Sequence, residues 1–212
     1  MKKLLFVLIV LSAALYAQAQ VITIAVEATV SQVDDAADLL EGAIAVDDII
    51  TGTYTYNTDT PDTNPMSTFG SYYHYETPFG VDLGCNGLEF KTDPDNVEFA
   101  VSITNNHLSG GDDTYSIRSY NNLTLSNGIG VDTISWQLDD PTGTAISSTA
   151  LPATAPVLED WLSLVGLYIM SEKIDYDTFF IRAHVTTAEL VPEPATLILL
   201  GAGVLLIRKR KT

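Results

Sequence analysis

The sequence predicts an all-β protein built as an antiparallel β-sandwich. Three observations carry that reading: short stretches in which apolar and polar side chains alternate, clusters of Gly, Asn, Asp and Pro between them, and no internal repeat of 20–50 residues. Residues 21–30 put Ile22, Ile24, Val26 and Ala28 on one face and Thr23, Ala25, Glu27 and Thr29 on the other, the period of a strand. Ser31 and Asp34 then open a short helix, expected to pass through Ala36, Leu39 and Leu40 and to end near Gly42, with acidic residues suiting its N-terminal dipole.

Residues 49–57 alternate threonines with Gly52, Tyr54 and Tyr56, as in a half-buried strand, and 58–65 form a turn-rich loop. Residues 72–75 read as a strand and 80–90 as a hairpin around Cys85-Asn86-Gly87. Val97, Phe99, Val101 and Ile103 alternate with Glu98, Ala100, Ser102 and Thr104, the clearest strand in the chain. Strands at 115–120 and 123–125 follow, and Ile134, Trp136 and Leu138 share a face. Residues 144–156 read as a long surface loop, and 157–167 as a short helix or irregular segment carrying Trp161. Phe179, Ile181, Ala183 and Val185 mark the last strand.

Both ends of the chain have a different grammar. Lys2 and Lys3 precede an apolar stretch at 4–15, and Ala17-x-Ala19 supplies the small residues of a signal-peptidase site, so cleavage is expected after Ala19 with Gln20 as the new N-terminus. At the other end Pro192-Glu193-Pro194 precedes an apolar run at 195–207 and the cluster Arg208-Lys209-Arg210-Lys211. At about 1.5 Å per residue the run spans roughly 20 Å, short against a hydrocarbon core of about 30 Å. Four cations at the end of the chain resist burial, however. They snorkel to headgroups and set a cytoplasmic tail by the positive-inside rule, which makes the run a single transmembrane helix. The prolines keep the preceding segment extended and open to an enzyme. The domain organisation is therefore a signal peptide at 1–19, an ectodomain at 20–190 and a tail at 191–212.

The proline–glutamate–proline tripeptide, the short apolar helix and the terminal basic cluster together resemble a PEP-CTERM sorting signal. The resemblance implies recognition by an exosortase, a multi-pass membrane enzyme, with cleavage near the motif. It further implies an inner-membrane intermediate, then release or transfer to the cell surface or extracellular space, often alongside exopolysaccharide production and biofilm formation. An ordinary anchor that stays attached is the alternative. The stretches 52–62, 118–128 and 134–152 also resemble ectodomains found among PEP-CTERM proteins that have no assigned activity.

Between the two signals only Lys91, Arg118, Lys173 and Arg182 are basic, against 26 acidic residues, for a formal charge near −22. Such a surface argues against nucleic-acid binding and for solubility outside the cell. Cys85 is the sole cysteine, so no intramolecular disulfide forms, and burial is its expected fate. His74, His107 and His184 lack metal-ligand spacing, and the chain has no GxSxG, P-loop or dinucleotide fingerprint. Carboxylates too numerous to single out a pair leave a secreted glycan-active hydrolase as the competing class. Asp59/Asp62, Asp93/Asp95/Asn96, Asp112/Asp113 and Asp139/Asp140 fall in turns, where they are turn formers by their own hydrogen bonds or, alternatively, ligands for calcium; no other cofactor is expected. Tyrosines at 54–56 and 72–75 are candidates for stacking on sugar rings, with alternation sending half of them into the core. No catalytic residue is assigned: the reading is a non-enzymatic structural or adhesive protein, with polysaccharide as its candidate partner.

Overall fold

The computed structural model describes residues 21–64, 66–107, 111–172 and 178–192. They form ten strands: β1 (Val21–Asp34), β2 (Ile49–Asn57), β3 (Phe69–His74), β4 (Gly80–Cys85), β5 (Leu88–Lys91), β6 (Phe99–His107), β7 (Asp112–Ser119), β8 (Val131–Asp140), β9 (Leu164–Ser171) and β10 (Phe180–Leu190). A single 3-10 turn at Leu158–Asp160 is the only helical element among the described residues. The strands make one antiparallel sheet in the order β3-β6-β7-β8-β9-β10-β1-β2-β4-β5. The antiparallel all-β expectation holds, but the layers are not two separate sheets. One sheet curls into a half-barrel, and its two flanks face each other across the core.

Alternation explains the curl. Ile22, Ile24, Val26, Ala28 and Val30 of β1 are buried, as are Ile181, Ala183 and Val185 of β10 and Leu167 and Ile169 of β9. An apolar face this long cannot be left to water, and folding the sheet over buries it against itself. The flanks meet through aromatic rings. Tyr54 on β2 packs edge-on to Trp136 on β8 of the opposite flank, with ring centroids 5.6 Å apart, and Tyr115 on β7, the neighbour of β8, packs edge-on to the same Trp136 at 6.0 Å. The Tyr54 and Tyr115 hydroxyls lie 3.1 Å apart, so two buried polar groups satisfy one another. A second closure runs through Thr92, which bridges to Asn122 and whose hydroxyl lies 2.7 Å from that of Ser119. Gly80 permits it: its φ is +133°, and an added Cβ would lie 2.6 Å from the Thr92 Cβ.

Several expectations change. The helix at 31–42 is absent. β1 runs on to Asp34 because Gln32, Val33 and Asp34 pair with Arg182, Ile181 and Phe180 of β10, so sheet pairing overrides a weak local helix signal. Turns follow instead, with positive φ at Asp38, Glu41 and Gly42, and the Asp35 carboxylate accepts the Leu39 and Leu40 N–H groups. Residues 123–125 form no strand, whereas β9 occupies the end of the segment read as helical or irregular. The β4–β5 hairpin forms where expected: Asn86 and Gly87 have φ of +48° and +88°, and Cys85 pairs with Leu88. Cys85 is buried.

The surface loop at 141–156 is irregular but tied down. The Tyr72 hydroxyl donates to the Thr149 carbonyl at 2.7 Å, and that of Tyr56 to the Pro152 carbonyl at 2.8 Å. Asp140 accepts from the Thr144 and Ala145 N–H groups, and Asp113 from that of Ile146.

The shared hydroxyl pair makes a prediction. Tyr54→Phe or Tyr115→Phe alone strands a buried hydroxyl and should cost about 1–3 kcal/mol in denaturant unfolding. The double Phe variant should cost clearly less than the sum of the two. Strict additivity would show that the hydroxyls do not pair.

Candidate functional site

Two regions stand out from the structural core: the C-terminal strand and the outward face of the sheet. β10 lies between β9 and β1. Its last pairing is Leu190 with Ile24, and the Val191 N–H donates to the Thr23 carbonyl at 2.9 Å. Pro192 follows; it has no N–H to continue the ladder, so pairing stops there. Leu190 and Val191 are exposed. The chain thus enters the sheet on β1 and leaves it on β10 at the same end of the same strand pair. Glu193 and Pro194 of the motif, the cleavage residues Ala17, Ala19 and Gln20, the apolar run at 195–207 and the cluster Arg208, Lys209, Arg210 and Lys211 lie outside the described residues. Among the described residues, no helix is long and apolar enough to cross a membrane.

Pairing registers place the outward side chains. Tyr73 pairs with Ala100, Ala100 with Arg118, Arg118 with Ser135, Ser135 with Tyr168, Tyr168 with Arg182, and Arg182 with Gln32. One row therefore crosses seven strands on the face turned away from the core. The Arg118 guanidinium carbon sits 4.9 Å from the Tyr120 ring centroid, and that of Arg182 lies 5.8 Å from the Tyr168 ring. Tyr168 leans along β9 across Gly166, where an added Cβ would lie 2.6 Å from the tyrosine hydroxyl. Phe180 stacks on the same ring at 6.0 Å. Sequence reasoning missed this row. Without β9 the two arginines, 64 positions apart, have no common frame.

The tyrosines proposed for sugar stacking divide. Tyr54, Tyr56 and Tyr72 are buried, whereas Tyr73 is half-buried and Tyr75 is exposed; the last two stack at 6.1 Å. Burial pushes the phenols of Tyr54, Tyr56 and Tyr115 up, as expected of core groups.

The acidic turns hold backbone. Asp62 accepts from the Asn64 and Ser71 N–H groups, and Asp93 from that of Asp95. Asp140 accepts N–H and hydroxyl bonds from Thr142 and Thr144, and these hold its pKa well below the carboxylate range. Among the described residues no group of three or more His, Cys, Asp or Glu could hold a metal ion. The three histidines do not converge: His184 is exposed on β10, His107 ends β6, and His74 is buried at the end of β3.

His74 lines a cleft of about 400 Å³ with Tyr73, Tyr75, Asp59 and Glu76. Its Nε2 accepts the Asn57 N–H at 3.0 Å and lies 2.9 Å from the Thr60 hydroxyl, an arrangement that needs the neutral ring. Burial, the largest cause, lowers its pKa against partly opposing backbone hydrogen bonds. The unfolded chain therefore binds a proton more readily than the folded one. The stability this adds is complete above the unfolded value of about 6.5 and fades as pH falls toward the folded value. Melting temperature should drop over that interval, and His74→Gln should remove this part of the drop. An identical pH profile for the variant would contradict the assignment.

Comparison with known proteins places residues 190–211 in the PEP-CTERM protein-sorting motif. The match begins on Leu190, the last residue of β10. It coincides with the tripartite tail read from the sequence. No curated protein and no solved structure matches the chain.

Proposed function

From the PEP-CTERM sorting motif that the chain carries, which marks it as an exported, surface-directed substrate of an exosortase-type enzyme, we propose that the ectodomain is a non-enzymatic structural or adhesive module of the cell surface or extracellular matrix. The observation that carries the proposal is the junction: the motif starts where β10 ends. In this reading the apolar run at 195–207 first holds the chain in the inner membrane, with Arg208 to Lys211 on the cytoplasmic side. Cleavage near Pro192-Glu193-Pro194 then frees a domain whose last strand is intact. Signal-peptide removal after Ala19 leaves β1 whole in the same way.

Two features support a module without turnover. The Cys85 thiol is buried, and burial, aided by Asp48, pushes its pKa up, away from the reactive thiolate. Asp113 and Asp140 are brought opposite each other by β7–β8 pairing, but both are sealed from solvent and occupied by backbone N–H groups. A glycan hydrolase needs two accessible carboxyl groups flanking the bond to be cut.

Intact mass and C-terminal peptide mapping of the surface fraction from the native host test the proposal. The expected form begins at Gln20 and ends near Pro192-Glu193-Pro194. Replacing Pro192 and Pro194 with alanine should shift the population to unprocessed chain. A surface form that still carries residues 195–212 would make the tail a permanent anchor.

A further inference from the structure

We propose that the outward row Tyr73–Arg118–Ser135–Tyr168–Arg182 is a binding track for an extended, carboxylate-bearing polysaccharide, laid across the strands. The proposal rests on the reading of the ectodomain as an adhesive module and names what it adheres to.

Charge is the first argument. The ectodomain has four basic side chains against 26 acidic ones, yet pairing puts two of the four in one row on one face. Lys91 is already committed to Asp82 and Glu89, at 3.3 Å each. Arg118 and Arg182 have no carboxylate partner among the described residues. Acids on and beside this face are engaged by neutral donors: Asp132 by Thr133, Asp139 by Gln137, Asp34 by Gln32, and Glu98, which acts on the Tyr120 phenol, by Asn121 at 3.4 Å. Arg118 itself donates to the Thr133 hydroxyl at 3.3 Å. Both guanidinium groups are exposed, and each offers the planar fork that suits a carboxylate.

Shape and spacing are the second. Each arginine adjoins an aromatic ring, and aromatic faces pack on the apolar faces of sugar rings. Around Arg118 the face is hydroxyl-rich: Ser102, Ser116, Ser135 and Gln137 line a shallow cleft of about 210 Å³ with Arg118 and Tyr120. At the other end Arg182 itself lines a wider cleft of about 520 Å³, with Gln32, Ser163, Gly166 and His184. Arg118 and Arg182 are three strand spacings apart, roughly 14 Å. In a uronate polymer, carboxylates a few sugars apart along the chain reach both guanidinium groups. The spacing does not suit nucleic acid, whose duplex carries a charge about every 1.7 Å and would set many unpaired phosphates against an acidic protein.

The test uses the exported protein recovered from its host, with polygalacturonate, its fully methyl-esterified form, neutral dextran, polyglutamate and single-stranded DNA as probes. Polygalacturonate should bind, with affinity falling severalfold as salt is raised. The esterified form, dextran, polyglutamate and DNA should bind at least tenfold more weakly. Arg118→Gln with Arg182→Gln should lose at least tenfold in affinity for polygalacturonate, Gly166→Ala should weaken binding by displacing the Tyr168 ring, and Lys91→Gln should leave it unchanged. Equal binding of the esterified form, or of polyglutamate or DNA, overturns the proposal on the unsubstituted protein alone, whatever the variants do. No binding of polygalacturonate also overturns it, as does full retention in the double arginine variant. Processing is read separately by mass, so a failure of binding leaves the sorting reading standing, and a failure of sorting leaves binding measurable.

Discussion

The contact between Tyr54, Tyr115 and Trp136 is the constraint on which the rest of the structure depends. Tyr115 and Trp136 sit on the neighbouring strands β7 and β8, whereas Tyr54 sits on β2, far from them in the sheet order, and its ring meets theirs only because the sheet doubles back. Aromatic edge contacts add to the area they bury, and the shared hydroxyl hydrogen bond removes the cost of placing two phenols in the core. Once the flanks are pinned, alternation sorts every strand into an inner apolar face and an outer polar one. The loop at 141–156 then closes over the end of the fold on bonds from Tyr56, Tyr72, Asp113 and Asp140.

Much of this could be read from the chain because strand alternation and turn chemistry are local. β2 matches its expected bounds, residues 49–57. Asn86-Gly87 supplied the two left-handed positions that its hairpin needs. What was not legible depends on distant partners. The acidic stretch after Val30 has the residues of a helix start, but β10 captures Gln32, Val33 and Asp34 first. β9 reads Leu-Val-Gly-Leu-Tyr-Ile-Met-Ser, an almost unbroken apolar run, so periodicity alone does not separate strand from helix there. The arginine row was hidden for the same reason, since it exists only once β9 joins β8 to β10. The motif at the C-terminus, by contrast, is linear and needs no fold to be recognised.

Function divides along the same lines. The inner face is spent on stability, and the carboxylates of the turns are spent on backbone N–H groups. The outer face holds the two guanidinium groups that no described carboxylate neutralises. The ends of the domain lie on β1 and β10, which pair with each other, so two cleavages outside that pair leave the hydrogen-bonded seam whole. The proposed removal of both ends would leave such a domain folded. Its heavy acidic charge favours solubility.

The most direct test of the single folded-over sheet is hydrogen exchange across the β9–β10–β1 seam, followed by mass spectrometry of the processed protein. If β10 joins the two flanks, amides in residues 22–30 and 181–185 should exchange as slowly as those of β8 and β9, because all open together. Fast exchange through residues 181–185 with β8 and β9 still protected would contradict the account. It would mean that two independent sheets carry the fold and that the strand leading into the sorting motif is only an appendage.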